Sequence, residues 1–342
     1  MRFIGGKSLM LDNIICVLRE NTSNIKTVAD LFSGSGVVAS CFKSAGFKVI
    51  SNDIMYFSYV LNRGSICLNE KPTFENLKIK NPIYYLNNLE LRNTGFLVND
   101  CFIFRNYSPN EKCERMYFQN KNAFKIDIIR LTIEEWRNKN LINDDEYFYL
   151  LTSLISAVPY VSNITGIYAA YLKTWDIRTY NELVLKDIEI IESSEEHIAF
   201  NMDANELVKN ISADLVYIDP PYNERQYLPN YHVLETIAKY DYPEITGVTG
   251  MRDYSEQKSK YCQKAQAKET FDDLIKHINS RYILVSYNNE GLLSTDELTD
   301  ILKKYAKPNT FKLYEYDYRR YKNKIPNNTN GLKEQLYFME KL

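Results

Sequence analysis

Asp30-Leu31-Phe32-Ser33-Gly34-Ser35-Gly36 is the stretch that decides how this chain folds. Residues 25–32, which run into it, are apolar enough for a buried strand. Beyond it, Val37, Val38, Cys41, Phe42 and Ala45 recur at helical spacing until Gly46 stops them. The glycines between strand and helix let the backbone come close to a ligand, and the helix N-terminus behind them attracts negative charge. A second strand is expected over 47–51, ending at Asn52-Asp53, and a helix over 56–68. This alternation implies a parallel, doubly wound sheet with ligands gathered at the carboxyl ends of its strands. Asp53 then stands where ribose hydroxyls would be accepted. The turn alone is ambiguous. Gly34-x-Gly36-x-x-Ala39 followed by Asp53 also fits the dinucleotide fingerprint, and a tight turn that binds nothing would look the same.

Outward from there the rhythm breaks. From about Glu70 to about Glu196 the signals are mainly helical: Thr132-x-x-Glu135 and Asn143-x-x-Glu146 read as capping boxes, and Pro159 ends or kinks the helix after the second. The sheet resumes at 197–202, 214–218 and 282–287, with helices expected over 228–240, 269–278 and 296–305. Strand-like 311–318 and 335–340, joined by the turn-rich 323–331, are expected to close the sheet as an antiparallel hairpin. The fold class expected is therefore α/β and Rossmann-like, a mostly parallel sheet with an antiparallel C-terminal hairpin. Residues 1–70 and 196–342 would form the catalytic domain, and 71–195 a mostly helical inserted subdomain.

The densest chemistry follows the run Leu215-Val216-Tyr217-Ile218: Asp219-Pro220-Pro221-Tyr222. Each proline fixes φ and lacks an N–H, so the tetrapeptide is a stiff shelf offering a carboxylate, carbonyl oxygens and an aromatic face. That set suits a flat, amino-bearing ring such as a nucleobase; the plainer alternative is a stiffened loop with a surface acid. Asp30, just before the glycine turn, would repel a pyrophosphate and welcome a cationic amino-acid moiety. This favours S-adenosylmethionine over a nicotinamide dinucleotide.

Composition sets outer bounds. With 342 residues and 45% hydrophobic content the chain can bury a large core, and no apolar run approaches the roughly 20 residues of a membrane span. No signal-peptide core opens it, so a soluble cytoplasmic protein is expected. The six cysteines are scattered and the histidines number three, so no metal cluster is expected. Net charge is −2, yet 303–324 carries eight bases against two acids and 252–268 five against two, a weak pointer to nucleic acid. The 28 tyrosines include candidates for stacking on bases.

Several segments in order resemble the Dam-like adenine-specific DNA methyltransferases, and within them the FokI-type modification methylases. They are Phe3-Ile4-Gly5-Gly6-Lys7, Asp30 to Gly36, Asn52-Asp53, Ala169-Ala170-Tyr171-Leu172-Lys173-x-Trp175, Asp219 to Tyr227, Asn230 to Glu235, and Ser286-Tyr287-Asn288-Asn289-Glu290-Gly291. The resemblance implies an S-adenosylmethionine-dependent enzyme that methylates the 6-amino group of an adenine flipped out of double-stranded DNA. It would be the modification half of a restriction system with a cognate endonuclease. It also implies that Asp219, Pro220, Pro221 and Tyr222 are catalytic, and that Phe3, Lys7, Asp30, Phe32, Gly34, Gly36, Asp53 and Asp203 bind the cofactor, Lys7 near its carboxylate. The family often has Trp where Phe3 stands. Asp203 would hold the cofactor's adenine, or else simply cap the helix that begins at Ala204. Methyltransferases of RNA adenine or of glutamine side chains often carry Asn at the position of Asp219. A catalytically silent DNA-binding module would be expected to have lost the glycine turn or Asp219. Target recognition falls to the insertion, with its mixed basic and aromatic stretch Arg115 to Phe118, Arg130 and Arg137, and to the loop 245–268.

Overall fold

The computed structural model describes residues 5–317 and 331–342 and divides the chain into two compact units. The first comprises Gly5–Ile54, Glu195–Gln226 and Lys258–Leu342. It holds a seven-stranded sheet: β1 (Thr27–Asp30), β2 (Lys48–Asn52), β3 (Ile198–Phe200), β4 (Ala213–Ile218), β5 (Ser280–Asn288), β6 (Lys312–Asp317) and β7 (Lys333–Glu340), in the order β3-β2-β1-β4-β5-β7-β6. All neighbours are parallel except β5–β7 and β6–β7. The expected α/β architecture and its antiparallel closing pair are thus present. The connecting segment expected over 323–331 lies outside the described residues up to 330.

Alternation along the central strands explains both faces. Val216, Ile218, Ile283, Val285, Tyr337 and Met339 face one way, into a core with Phe271, Leu274, Ile275, Leu298 and Leu302 from the helices Lys264–His277 and Thr295–Tyr305. Tyr217 points the other way and meets Phe42 of the helix Val37–Ser44 edge to face at 5.8 Å. The strand order reverses at β1 and β4. Crevices at such a switch point are where open α/β sheets bind ligands.

The second unit contains Met55–Ser194 with Tyr227–Gln257. Its longest helices are Asn120–Asn138, Asp144–Ala157 and Leu228–Lys239. Asn143 and Glu146 form the expected capping box, and a 3₁₀ turn over Val158–Tyr160 follows the helix at Pro159. The box expected at Thr132 does not exist. The helix begins at Asn120, and the Thr132 hydroxyl donates back to the Ile128 carbonyl at 2.7 Å, a bond that needs a helical turn ahead of it and that an N-cap residue cannot make. The helix expected over 56–68 ends at Arg63 with Gly64 as its C-cap, and Gly64 lies close against the helix Asp144–Ala157. A Cβ on Gly64 would lie 2.2 Å from Thr152 Oγ1 and 2.3 Å from the Phe148 carbonyl oxygen. Arg130 is only 2% exposed; it donates to the carbonyls of Ile237 and Ala238 and pairs with Glu134. Buried in this way it braces a helix and cannot read bases, and Tyr117 and Phe118 of the same stretch are buried as well. No helix of the described residues is long and apolar enough to cross a membrane.

Candidate active site

Apart from Phe3, the site residues singled out in the sequence lie at one edge of the sheet in the first unit. Asp30 is the last residue of β1, Asp53 follows β2, Asp203 follows β3 and Asp219 follows β4. β7 runs antiparallel, so its first residues reach the same edge, where Glu334 pairs in register with Asn288 of β5.

Asn52 stitches the loops of this edge together. Its amide nitrogen donates to the carbonyls of Leu31 and Met202 at 3.0 and 3.1 Å, and its oxygen accepts the Met202 N–H at 3.1 Å. The glycine turn then stands with Gly34 and Gly36 at φ +51° and +79°, a region that side-chain-bearing residues enter at a cost. The Gly34 N–H donates to the Asp53 carboxylate at 2.9 Å, which fixes the turn against the end of β2. Phe32 lies edge-on to Tyr261 with ring centroids 5.2 Å apart. The Tyr261 hydroxyl in turn donates to Asn205 at 2.7 Å. Asp203 caps the short helix Ala204–Leu207, one oxygen accepting the N–H groups of Asn205 and Glu206 at 2.9 and 3.3 Å.

Asp30 is 1% exposed, and neither of its carboxylate oxygens has a hydrogen-bond partner among the described residues. Burial, reinforced by the charge of Asp219, holds its pKa well above the usual carboxylate range; the nearby amides of Phe32 and Ala39 offset only part of this. A buried, unpaired carboxylate is costly unless something positive comes to meet it.

Lys7 supplies that charge to Asp219. Its ammonium is 3.2 Å from Asp219 Oδ1 and 3.1 Å from Glu334 Oε2, with Lys7 and Glu334 side chains 3% and 4% exposed. Burial pushes the ammonium down, but the two carboxylates push it up further, so Lys7 stays charged. Asp219 is pushed up to about 6, by burial first and by the Glu334 charge, with Lys7 opposing both. The Tyr222 ring lies beside the same ammonium, 5.7 Å from nitrogen to centroid, and edge-on to Tyr287 at 6.1 Å. The carbonyls of Pro220 and Pro221 receive no hydrogen bond among the described residues.

Glu334, Tyr261 and Tyr287 take part without having been singled out as site residues from the sequence. Glu334 carries no local signal, since only the antiparallel register brings it to Lys7. Tyr287 lies in the segment Ser286 to Gly291 and shows why that segment is built as it is. The Leu293 N–H donates to its hydroxyl at 3.3 Å, the Leu292 N–H donates to the Tyr222 carbonyl at 2.8 Å, and a Cβ on Gly291 would fall 2.2 Å from its ring. The loop after β5 therefore braces the shelf. Phe3 lies outside the described residues.

Three relatives match along the whole chain. The type II methyltransferase M.FokI of Planomicrobium okeanokoites is 48% identical over 345 residues, covering 100% of this chain and 53% of the relative. The modification methylase StsI of Streptococcus sanguinis is 43% identical over 345 residues, covering 100% of this chain and 52% of the relative. The type II methyltransferase M.NlaIII of Neisseria lactamica is 37% identical over 348 residues, covering 100% of this chain and 99% of the relative. The chain thus spans about half the length of the first two and nearly all of the third. The family model for D12 class N6 adenine-specific DNA methyltransferases matches residues 3–328, and the chain belongs to that family.

Proposed function

We propose that this chain transfers a methyl group from S-adenosylmethionine to the exocyclic 6-amino nitrogen of an adenine in double-stranded DNA. It would act as the modification enzyme of a restriction system alongside a cognate endonuclease. The observation that carries the reading is the grouping of Asp219, Lys7 and Tyr222 beside the unpartnered carboxylate of Asp30.

The residues fit a cationic donor. Asp30 offers a buried carboxyl group with no hydrogen-bond partner among the described residues, whose ionised form a cation would stabilise and a pyrophosphate would not. Asp53 fixes the glycine turn and stands after β2, where ribose hydroxyls would be accepted. Phe32 and Tyr261 supply apolar rings, and Asp203 stands after β3, where an adenine amino group would be met. When bound, S-adenosylmethionine supplies a methyl group made electrophilic by its sulfonium.

The acceptor nitrogen is poor because its lone pair is delocalised into the purine. The ionised Asp219 and the Pro220 carbonyl accept hydrogen bonds from its two N–H groups and so favour a tetrahedral nitrogen with its lone pair exposed; the one proton the nitrogen sheds on gaining the methyl passes by way of Asp219 to solvent. Lys7 keeps Asp219 an acceptor rather than a donor. Tyr222 stacks on the extruded base, with its ring edge-on to Tyr287 and its backbone carbonyl held by the Leu292 N–H. Positioning and electrostatics supply the rate; a strong base is not needed. The helical residues 71–195, with the loop 245–268, choose the DNA sequence.

Calorimetry tests the donor. S-adenosylmethionine or its demethylated product should bind and NAD should not, and Asp53→Ala should weaken binding by about 1.5–3 kcal/mol, the worth of a charge-assisted hydrogen bond. Absence of any affinity in the wild-type chain contradicts the reading.

A further inference from the structure

Three carboxyl groups and one ammonium gather at the carboxyl edge of the sheet, all within the first unit. Asp30 pairs in register with Tyr217, and strand alternation puts both, with Glu334 two strands away, on one face. The Tyr217 hydroxyl feels the charges of Asp219, Asp30 and Glu334 together, so the three acids form one cluster. Lys7 is its cation, 3.2 Å from Asp219 and 3.1 Å from Glu334. One ammonium is thus already divided between two carboxylates.

Asp30 is the acid left over. It is 1% exposed, and neither oxygen has a hydrogen-bond partner among the described residues. What faces it supplies little positive charge. From β4, Tyr217 offers a neutral hydroxyl, whose own ionisation is opposed by burial and by these acids. Asp219 after β4 and Asp53 after β2 are the charges it feels most, and both are negative. The helix Val37–Ser44 contributes the Ala39 amide, and its buried cation, Lys43, acts on His197 just before β3. An ionised carboxylate placed here meets like charges and has no cation of its own, whereas a carboxylic acid costs far less. A cationic ligand reverses that preference, because a positive charge set against Asp30 stabilises its ionised form.

We infer that Asp30 is a carboxylic acid before the methyl donor binds, and that it yields its proton to solvent when it pairs with the donor's ammonium. The inference rests on the proposed S-adenosylmethionine-dependent activity and makes donor binding a proton-releasing step. The O–H bond of Asp30 breaks, the proton goes to bulk water, and the carboxylate left behind keeps the ammonium. The sign follows: donor affinity rises with pH, by up to tenfold per unit while Asp30 titrates. Asp30 thereby selects for a cationic ligand, since a neutral or anionic one gives it nothing to ionise against.

Titration calorimetry of the full chain, in two buffers of different ionisation enthalpy, counts the protons. It is run at about pH 7, above the value of about 6 to which Asp219 is pushed. S-adenosylmethionine and its demethylated product share the ammonium, and each should release close to one proton from the wild-type chain. Asp30→Asn keeps the shape and the neutral state of the acid. It should melt no lower than wild type, bind either ligand tenfold or more weakly, and release close to no proton. Infrared difference spectra of the wild-type chain, labelled with carbon-13 at its aspartate carboxyls, read the same event without a variant: a carboxylic-acid C=O band should be lost on binding the product. Binding without proton release in the wild type overturns the inference, as does equal release from a folded Asp30→Asn variant or an acid band that survives binding. A wild-type chain that binds neither ligand instead sinks the underlying methyltransferase reading.

Discussion

At the scale of single residues, Lys7 divides its charge between two acids. It faces Asp219 and Glu334 at nearly equal distance, so the two acids compete for one cation. Asp219 must be ionised to accept a hydrogen bond from the amino group, and with its pKa pushed up to about 6, kcat/KM should fall as the pH drops through that value. Lys7→Met removes the charge that lowers Asp219 and should move this acid limb to higher pH. Glu334→Gln removes a charge that raises it and should move the limb to lower pH. pH–rate profiles of the three proteins check this, and a shift of both variants in the same direction contradicts the arrangement. Tyr222→Ala should cost roughly 1–3 kcal/mol of DNA affinity, the usual worth of stacking a base on an aromatic ring. Asp219 and Tyr222 stand out in the sequence because four adjacent residues make the shelf. Glu334 does not, because it meets Lys7 across 327 residues of chain and nothing beside it is unusual.

At the scale of elements, two glycines carry predictions. Gly291 lies against the Tyr287 ring, so Gly291→Ala should displace the ring and, through it, the brace on Tyr222. Activity should drop at least tenfold while the melting temperature falls little; an unchanged kcat contradicts the brace. Gly64 lies against the backbone of the helix Asp144–Ala157, and Gly64→Ala should destabilise the helical unit by about 1–3 kcal/mol in urea denaturation, as overpacking usually does. The strands were legible because apolar runs and turn residues mark them locally. The Thr132 box was misleading for a physical reason: a Thr-x-x-Glu pattern is equally at home inside a helix, where the hydroxyl bonds back to a carbonyl four residues earlier. Arg130 was misread for a similar reason, since a basic residue among aromatics serves a packed helix interface as readily as a nucleic-acid surface.

At the scale of the whole molecule, the sequence pointed to an inserted segment, and contacts draw its borders elsewhere. The cut read at 70/71 falls at 54/55 by contacts, and 227–257 joins the helical unit. The helix Leu228–Lys239 reads in sequence as an ordinary crossover. Within its unit, however, Glu235 accepts the N–H groups of Tyr56 and Phe57 at 3.1 and 2.9 Å, a pairing over long sequence distance that periodicity cannot reveal. Charge is similarly redistributed. In the stretch 303–324, Lys304 pairs with Asp272 and Lys307 with Glu340, so part of its excess is neutralised locally, and the residues from 318 on lie outside those described. The fold and the chemistry nonetheless converge on one reaction, and one measurement addresses it directly. The purified chain is incubated with S-adenosylmethionine and unmethylated duplex DNA, and the nucleosides are analysed by mass spectrometry. The account predicts N6-methyladenine with the wild-type chain and none with a folded Asp219→Ala variant. A different methylated base, or N6-methyladenine undiminished in Asp219→Ala, contradicts it.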